Sequence, residues 1–171
     1  MKTLVPLELH TPRLLLRQFR EDDWQDLHQY YVDDLATRYT VGHAFSVGET
    51  WRALSSMLGH WQLRGFGPYA LEDKHSGKVI GTVGFWYPND FPGPEIKWSL
   101  VREYWGRGLA SEAARAVQKV GQQYLPHIAL SSMIHPHNQP SIQLALALGA
   151  RFEREIELRE QMLHLYRHPR S

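Results

Sequence analysis

Hydrophobic positions change their spacing several times along the chain, and each change marks an element. Leu14-Leu15-Leu16-Arg17-Gln18-Phe19 reads as a first strand. An acidic start follows, then an amphipathic run in which Trp24, Leu27, Tyr30 and Tyr31 recur at helical spacing. Ser46-Val47-Gly48-Glu49 fits a capping box that opens a second helix through Trp51, Leu54, Leu58 and Trp61, ending near Gly65-Phe66-Gly67. Strands then dominate. Tyr69–Glu72 and Lys78–Trp86 flank Asp73-Lys74-His75-Ser76-Gly77, a Gly-containing hairpin loop. A proline-rich loop, Pro88 to Pro94, leads into the strand Glu95–Val101. After Gly106-Arg107-Gly108, a stripe of Leu109, Ala113, Ala116, Val117, Val120 and Tyr124 defines a long helix with Pro126 just past its end. Ile128–Ile134 reads as a strand, Asn138–Leu148 as a short helix closed by Gly149, and Arg151–Arg154 and Leu163–Tyr166 as final strands. The order β-α-α-β-β-β-α-β-α-β-β predicts one mixed α/β (α+β) domain over residues 1–171, not a regular doubly wound sheet.

Charge narrows the function. The 19 basic residues nearly cancel the 18 acidic ones, which argues against a nucleic-acid binder whose affinity rests on a basic face. The acids cluster locally: Glu21, Asp22, Asp23, Asp26, Asp33 and Asp34 fall in a stretch without Lys or Arg. That stretch reads either as a solvated helix surface or as an acidic rim that attracts cationic substrates. The chain has no cysteine, so a thiolate nucleophile and a zinc–thiolate site are both closed. The first residues reach Glu8 before any apolar run forms, and no stretch approaches the length of a membrane span, so the cytoplasm is the expected compartment, with no membrane partner.

The glycine pair Gly106–Gly108 sits between a strand and a strong helix, where the first N–H groups of the helix and its dipole suit a pyrophosphate. A P-loop needs Gly-Lys-Ser/Thr, which is absent. A dinucleotide fingerprint needs a third glycine and an acid on the next strand, but position 111 is Ser and residues 128–134 hold no acid. What remains is strand, glycine loop, long helix, strand, then Asn138-Gln139-Pro140-Ser141 opening a helix that ends in Leu148-Gly149-Ala150-Arg151-Phe152. This series resembles the GNAT superfamily of N-acetyltransferases. Thr11-Pro12-Arg13-Leu14-Leu15-Leu16-Arg17 and Tyr104-Trp105-Gly106-Arg107-Gly108-Leu109-Ala110-Ser111-Glu112-Ala113 are similar to its RimJ/RimL-like group, which acetylates N-termini of ribosomal proteins. The resemblance runs from about Leu9 to Tyr166.

The resemblance implies a mostly antiparallel sheet of about seven strands with about four helices and a splayed strand pair forming an acetyl-CoA cleft. It implies that Ser99, Leu100 and Val101 offer backbone bonds to the pantetheine arm. The N–H groups of Trp105, Gly106, Arg107, Gly108, Leu109 and Ala110, with Ser111 behind them, would hold the pyrophosphate. Asn138 would bond the pantetheine and Ser141 would lie near the sulfur. Glu95 is the first choice for a general base, its alternative being an exposed strand-end acid paired with Lys97 or an Arg. The backbone N–H of Leu100 would polarise the acetyl oxygen. Two family positions differ: Glu103 stands where Arg or Gln usually opens the loop, and Ala145 stands where many relatives carry an acid Tyr. Ser141 is the nearest substitute acid, its alternative being a helix-start residue bonding backbone.

Among ten histidines, His135-Pro136-His137 and His164…His168 are the closest sets, and neither is expected to face a carboxylate, so no metal is expected. Trp24, Tyr31, Phe45, Trp51, Trp61, Trp86 and Phe91 fall in the part where similar proteins line an acceptor groove; most read as core at helical or strand spacing, with one or two left to shape a substrate pocket. The expected acceptor is a primary amine on a peptide or protein N-terminus, or else a small amine; the oligomeric state is left open, a homodimer being one option. A CoA-binding domain without catalysis and an unrelated nucleotide-binding module stay open as other classes.

Overall fold

In the computed structural model, which describes residues 1–171, a short pair begins the sheet: β1 (Leu9–His10) turns back on β2 (Leu14–Arg17). Three helices follow, α1 (Trp24–Tyr31), the single turn α2 (Asp34–Thr37) and α3 (Val47–Arg64). Then come β3 (Pro68–Asp73), β4 (Val79–Trp86), β5 (Glu95–Leu100), α4 (Leu109–Tyr124), β6 (Ser131–Ile134), α5 (Gln139–Ala147), β7 (Arg151–Leu158) and β8 (Gln161–Arg167). All eight strands form one sheet, ordered β1-β2-β3-β4-β5-β6-β8-β7. Every neighbour is antiparallel except β5 and β6. No helix is long and apolar enough to cross a membrane.

The local chemistry explains most boundaries. Ser46 and Glu49 cap α3 reciprocally, at 3.2 and 3.1 Å, and Gly65 ends it at φ 77°. The α4 stripe buries Leu109, Ala113, Val117 and Val120 against Leu14, Leu16, Val83, Phe85 and Ile96 of the sheet. At about 1.5–3 kcal/mol for each large side chain removed from water, this face alone fixes α4 to the sheet. On the opposite face, α1 and α3 pack Leu27, Tyr30, Tyr31, Leu54 and Met57 around Ala70 and Val79.

The sheet has one strand more than expected and the helices one more. β1 is only two residues long, and α2 is one turn held by the Asp33 side chain accepting from the Leu35 and Ala36 N–H groups. Neither is long enough to show a period. β7 and β8 are longer than their apolar cores, because a tight turn at Arg159 and Glu160, both with positive φ and neither a glycine, joins them. The strand expected from Ile128 starts only at Ser131, since Ile128 N–H closes a turn onto Leu125.

Candidate active site

β5 and β6 separate almost as soon as they meet. Glu95–Ser131 is their only registered pair, and Ser131 N–H donates to Pro94 O beside it. One step further, a side chain does the work of the missing ladder: Ser132 Oγ donates to Ile96 O at 2.6 Å. Its single proton thus committed, Ser132 Oγ accepts from His168 Nε2 at 2.8 Å, and His168 Nδ1 accepts from Gln118 Nε2 at 3.1 Å. The network fixes a neutral imidazole, and burial pushes His168 down to about 4. Beyond it the strands diverge.

The alternation of an antiparallel ladder decides which backbone groups face the opening. Val101 N–H donates to Ile80 O, so the bonded positions of β5 toward β4 are Val101, Ser99, Lys97 and Glu95. The N–H and C=O groups of Ile96, Trp98 and Leu100 therefore turn the other way, to β6. Ile96 O meets Ser132 there, and Leu100 O accepts from the Trp105 indole at 2.8 Å. Ser99 and Val101 spend their N–H groups on β4, while Trp98 and Leu100 present theirs to the cleft.

The glycine loop follows at once. Gly106 and Gly108 both have φ +75°, a conformation that favours glycine, and beside Gly106 a Cβ would meet nothing within 4 Å. Beside Gly108 it would meet only Arg13 Nη2, at 3.5 Å. The cradle is open on the ligand side. Trp105 N–H is excluded from it, being bonded to Arg102 O at 3.0 Å in the preceding turn. Glu112 N–H, bonded to Gly108 O, ends the free run, so Leu109, Ala110 and Ser111 carry the unpartnered first N–H groups of α4.

Thr11 and Arg13 brace this loop. Arg13 donates to Glu112 at 2.8 Å through Nε and to Arg107 O at 2.9 Å through Nη1, and Thr11 Oγ1 donates to Glu112 at 2.6 Å. These hydrogen bonds hold Glu112 below the usual carboxylate range. Glu103, by contrast, is exposed in the turn before the loop.

On the α1–α3 side of the sheet, Glu95, Lys97 and Ser99 share one face of β5 and floor a groove of 670 Å³. Glu95 is not an exposed strand-end acid. It is 8% accessible, makes no ion pair, and accepts the Met133 N–H at 2.9 Å. Burial raises its carboxyl to about 7, against the downward pull of that bond and of Lys97. Burial likewise lowers the Lys97 ammonium to about 8. Tyr31, Phe45, Trp86 and Phe91 line the groove, with Tyr31 and Phe45 stacked 4.7 Å apart. Trp24, Trp51 and Trp61 do not: Trp61 is core, Trp24 packs against the second cluster, and Trp51 is exposed. Tyr30 also reaches the groove, its hydroxyl 2.6 Å from Thr40 Oγ1 and its pKa raised by burial.

Across the splay, Asn138 caps α5 through a long bond from Ser141 N–H to Oδ1, 3.5 Å, which leaves its amide donors free. Ser141 Oγ does not bond backbone. It accepts from Trp98 Nε1 at 3.2 Å, so a side-chain bridge spans the two arms. Ala145 is fully buried against Ile134, Ile142 and Tyr166.

The acidic run is neither a rim nor merely a solvated surface. Asp23 is buried in a two-pronged pair with Arg17, both contacts 2.9 Å. Asp26 accepts the Val79 N–H at 3.0 Å, and Asp33 pairs with Arg102 at 2.9 Å. None of the six acids lines the groove. Among the histidines, His164 does face a carboxylate, Glu155 at 3.6 Å, because the β7–β8 register places them opposite each other. No three His, Asp or Glu side chains converge.

A mixed sheet whose one parallel pair splays beside a glycine loop at a helix start offers a cleft for an elongated, phosphate-bearing ligand, and known relatives place it among the acyltransferases. A family model described as an acetyltransferase (GNAT) domain matches residues 13–151, and the chain belongs to that family. It is 32% identical over 154 residues to the uncharacterized N-acetyltransferase p20 of Bacillus licheniformis, covering 89% of this chain and 85% of that one. The crystal structure of an acetyltransferase from Agrobacterium tumefaciens superposes with a TM-score of 0.85 at 27% identity, covering 96% and 95% of the two chains. RimL, a ribosomal L7/L12 α-N-protein acetyltransferase solved with coenzyme A, shares the fold with a TM-score of 0.76, 17% identity and 96% coverage of each chain. The protein is an N-acetyltransferase.

Proposed function

We propose that the chain moves an acetyl group from acetyl-CoA directly to the α-amine of a peptide or protein N-terminus, with no acyl-enzyme stage. The observation that carries this reading is Glu95, buried where the groove floor meets the root of the splay, with its carboxyl raised to about 7. A free α-amine titrates near 7.7–8.0 and a lysine near 10.4, so a base at about 7 is matched to the α-amine. RimL, whose fold is shared, acts on an α-amine of a ribosomal protein.

Acetyl-CoA would supply an activated acyl group and a thiolate leaving group. The N–H groups from Gly106 to Ser111 would hold its pyrophosphate. The Leu100 N–H, turned into the cleft, would bond the carbonyl oxygen as negative charge grows there. Glu95 would take the proton that the amine must lose. Ser141 would give its hydroxyl proton toward the sulfur as the carbon–sulfur bond breaks and the carbon–nitrogen bond forms, and would be reprotonated from solvent as Glu95 releases the proton taken from the amine. The Trp98 indole, donating to Ser141 Oγ, would make that proton easier to release.

The experiment is acetyl transfer from acetyl-CoA to a panel of peptides, free amino acids, polyamines and aminoglycosides, followed by thiol release and product mass. N-terminal acetylation of peptides supports the reading. Turnover of small amines with every peptide inert replaces it with a small-molecule acetyltransferase. Acetyl-CoA binding without turnover of any amine leaves a CoA-binding domain.

A further inference from the structure

One charged group in the groove has no partner. Glu49 caps α3 and bonds His43 at 3.2 Å; Arg159 grips Asp90 at 2.6 and 3.0 Å; Glu95 accepts the Met133 N–H. His135 lies against the Tyr39 ring at 4.6 Å. Lys97 makes neither an ion pair nor a hydrogen bond; its ammonium sits 4.2 Å from the Trp86 ring centroid, and the residue lines the groove. The chain thus places a half-buried cation beside Glu95 and sends its acidic run elsewhere.

We infer that Lys97 is a specificity residue that binds an anionic group on the acceptor, so that the preferred substrate is an amine carrying a carboxylate a few bonds away. This rests on the acceptor reading above. Glu95 and Lys97 stand two residues apart on one face of a strand, which separates their positions by about 7 Å. An amine at Glu95 and an anion at Lys97 are therefore held by different residues along the groove. With a hydrogen bond of about 2.8 Å at each end, a free amino acid reaches both positions, and so does a peptide with Asp or Glu in second position, whose longer spacing the Lys97 side chain can follow.

The occupant explains what the fold leaves unexplained. A desolvated ammonium without an anion is unfavourable, and an incoming carboxylate would both pair with it and keep it charged. The Trp86 face holds the ammonium in position meanwhile. Burial draws Lys97 down to about 8, further than the neighbouring Glu95 carboxylate pulls it up, so an added anion would still favour the charged form. The same charge would repel a basic acceptor, so cationic substrates such as polyamines are disfavoured.

The test compares kcat/KM for peptides identical except for Glu or Gln, and Asp or Asn, in second position. A second pair is a γ-amino acid against its amide. Wild type is expected to favour each acidic member about tenfold or more, the size of one charge-assisted contact in a groove. Lys97→Met should bring the ratio to about one, and Lys97→Arg should restore most of it. A residue that only tuned Glu95 would change both members of a pair equally and leave the ratio alone. Equal turnover of acidic and neutral members by wild type, or a ratio unchanged in Lys97→Met, overturns the inference while leaving acetyl transfer to amines intact. Preference in the peptide pair alone identifies a protein acceptor, and in the amino-acid pair alone a metabolite. If no member of either pair is turned over, the acceptor reading fails and this inference with it.

Discussion

Glu95→Gln should make the enzyme slower and, at alkaline pH, more stable. The carboxyl stands at about 7 in the fold against 4.5 for an ordinary glutamate. Between those values the folded chain keeps a proton that the unfolded chain has lost. Stability therefore falls as pH rises from 4.5 to 7, and the whole penalty is present above 7. At about 1.4 kcal/mol per pH unit, ionised Glu95 costs about 3 kcal/mol. Glutamine can still accept the Met133 N–H without the charge, so it removes most of that penalty. In a chain of this size about 3 kcal/mol corresponds to a rise in Tm of about 6–12 °C. The lost interaction with Lys97 lowers the gain toward the smaller figure. Thermal melts at pH 5 and pH 8.5 should then show the variant near wild type in acid and clearly above it in base. In the same variant, kcat should drop by about 10²–10⁴, and the acid limb of the pH–rate profile near 7 should vanish. A variant that is less stable than wild type at pH 8.5, or that keeps the acid limb, refutes the role of a buried base at this position.

Two further outcomes follow from the geometry. Gly108→Val forces a β-branched residue into φ +75° at the cradle, so acetyl-CoA should no longer raise the Tm of a variant that still melts cooperatively; normal binding would mean the loop is misassigned. Asp23→Ala should cost about 1.5–3 kcal/mol in denaturant melts, because Arg17 loses its two-pronged partner but keeps Glu72 at 3.0 Å, whereas Asp22→Ala should stay within about 0.5 kcal/mol; similar losses at both sites would contradict the buried pair.

The long, strongly patterned pieces were legible in the sequence. The α4 stripe, the Ser46/Glu49 box and the strand before Gly106 are local signals, and the structure puts each where its pattern lies. What local patterning does not carry is which side of a strand a backbone group faces. That depends on the register with β4, which turns the N–H groups of Trp98 and Leu100, not those of Ser99 and Val101, toward β6. Side-chain partners were equally invisible: Arg13 meets Glu112 across 99 positions, and Asp23 reads as a surface acid until Arg17, only six positions away, is folded over it. Lys97 did leave a trace. A lysine on the same face as Glu95 and Ser99, in the middle of a central strand, is a charge that the fold must half bury.

The root of the cleft is finished by the last strand to be made. His168 reaches Ser132 only after β8 has paired with β6, and its own N–H donates to Leu130 O. β6 has one registered pair with β5 but four with β8, so the angle between the two arms of the cleft is set through contacts that end at residue 168. A nascent chain stalled earlier would display the glycine loop on a half-built sheet, with the edge of β5 open to any passing strand.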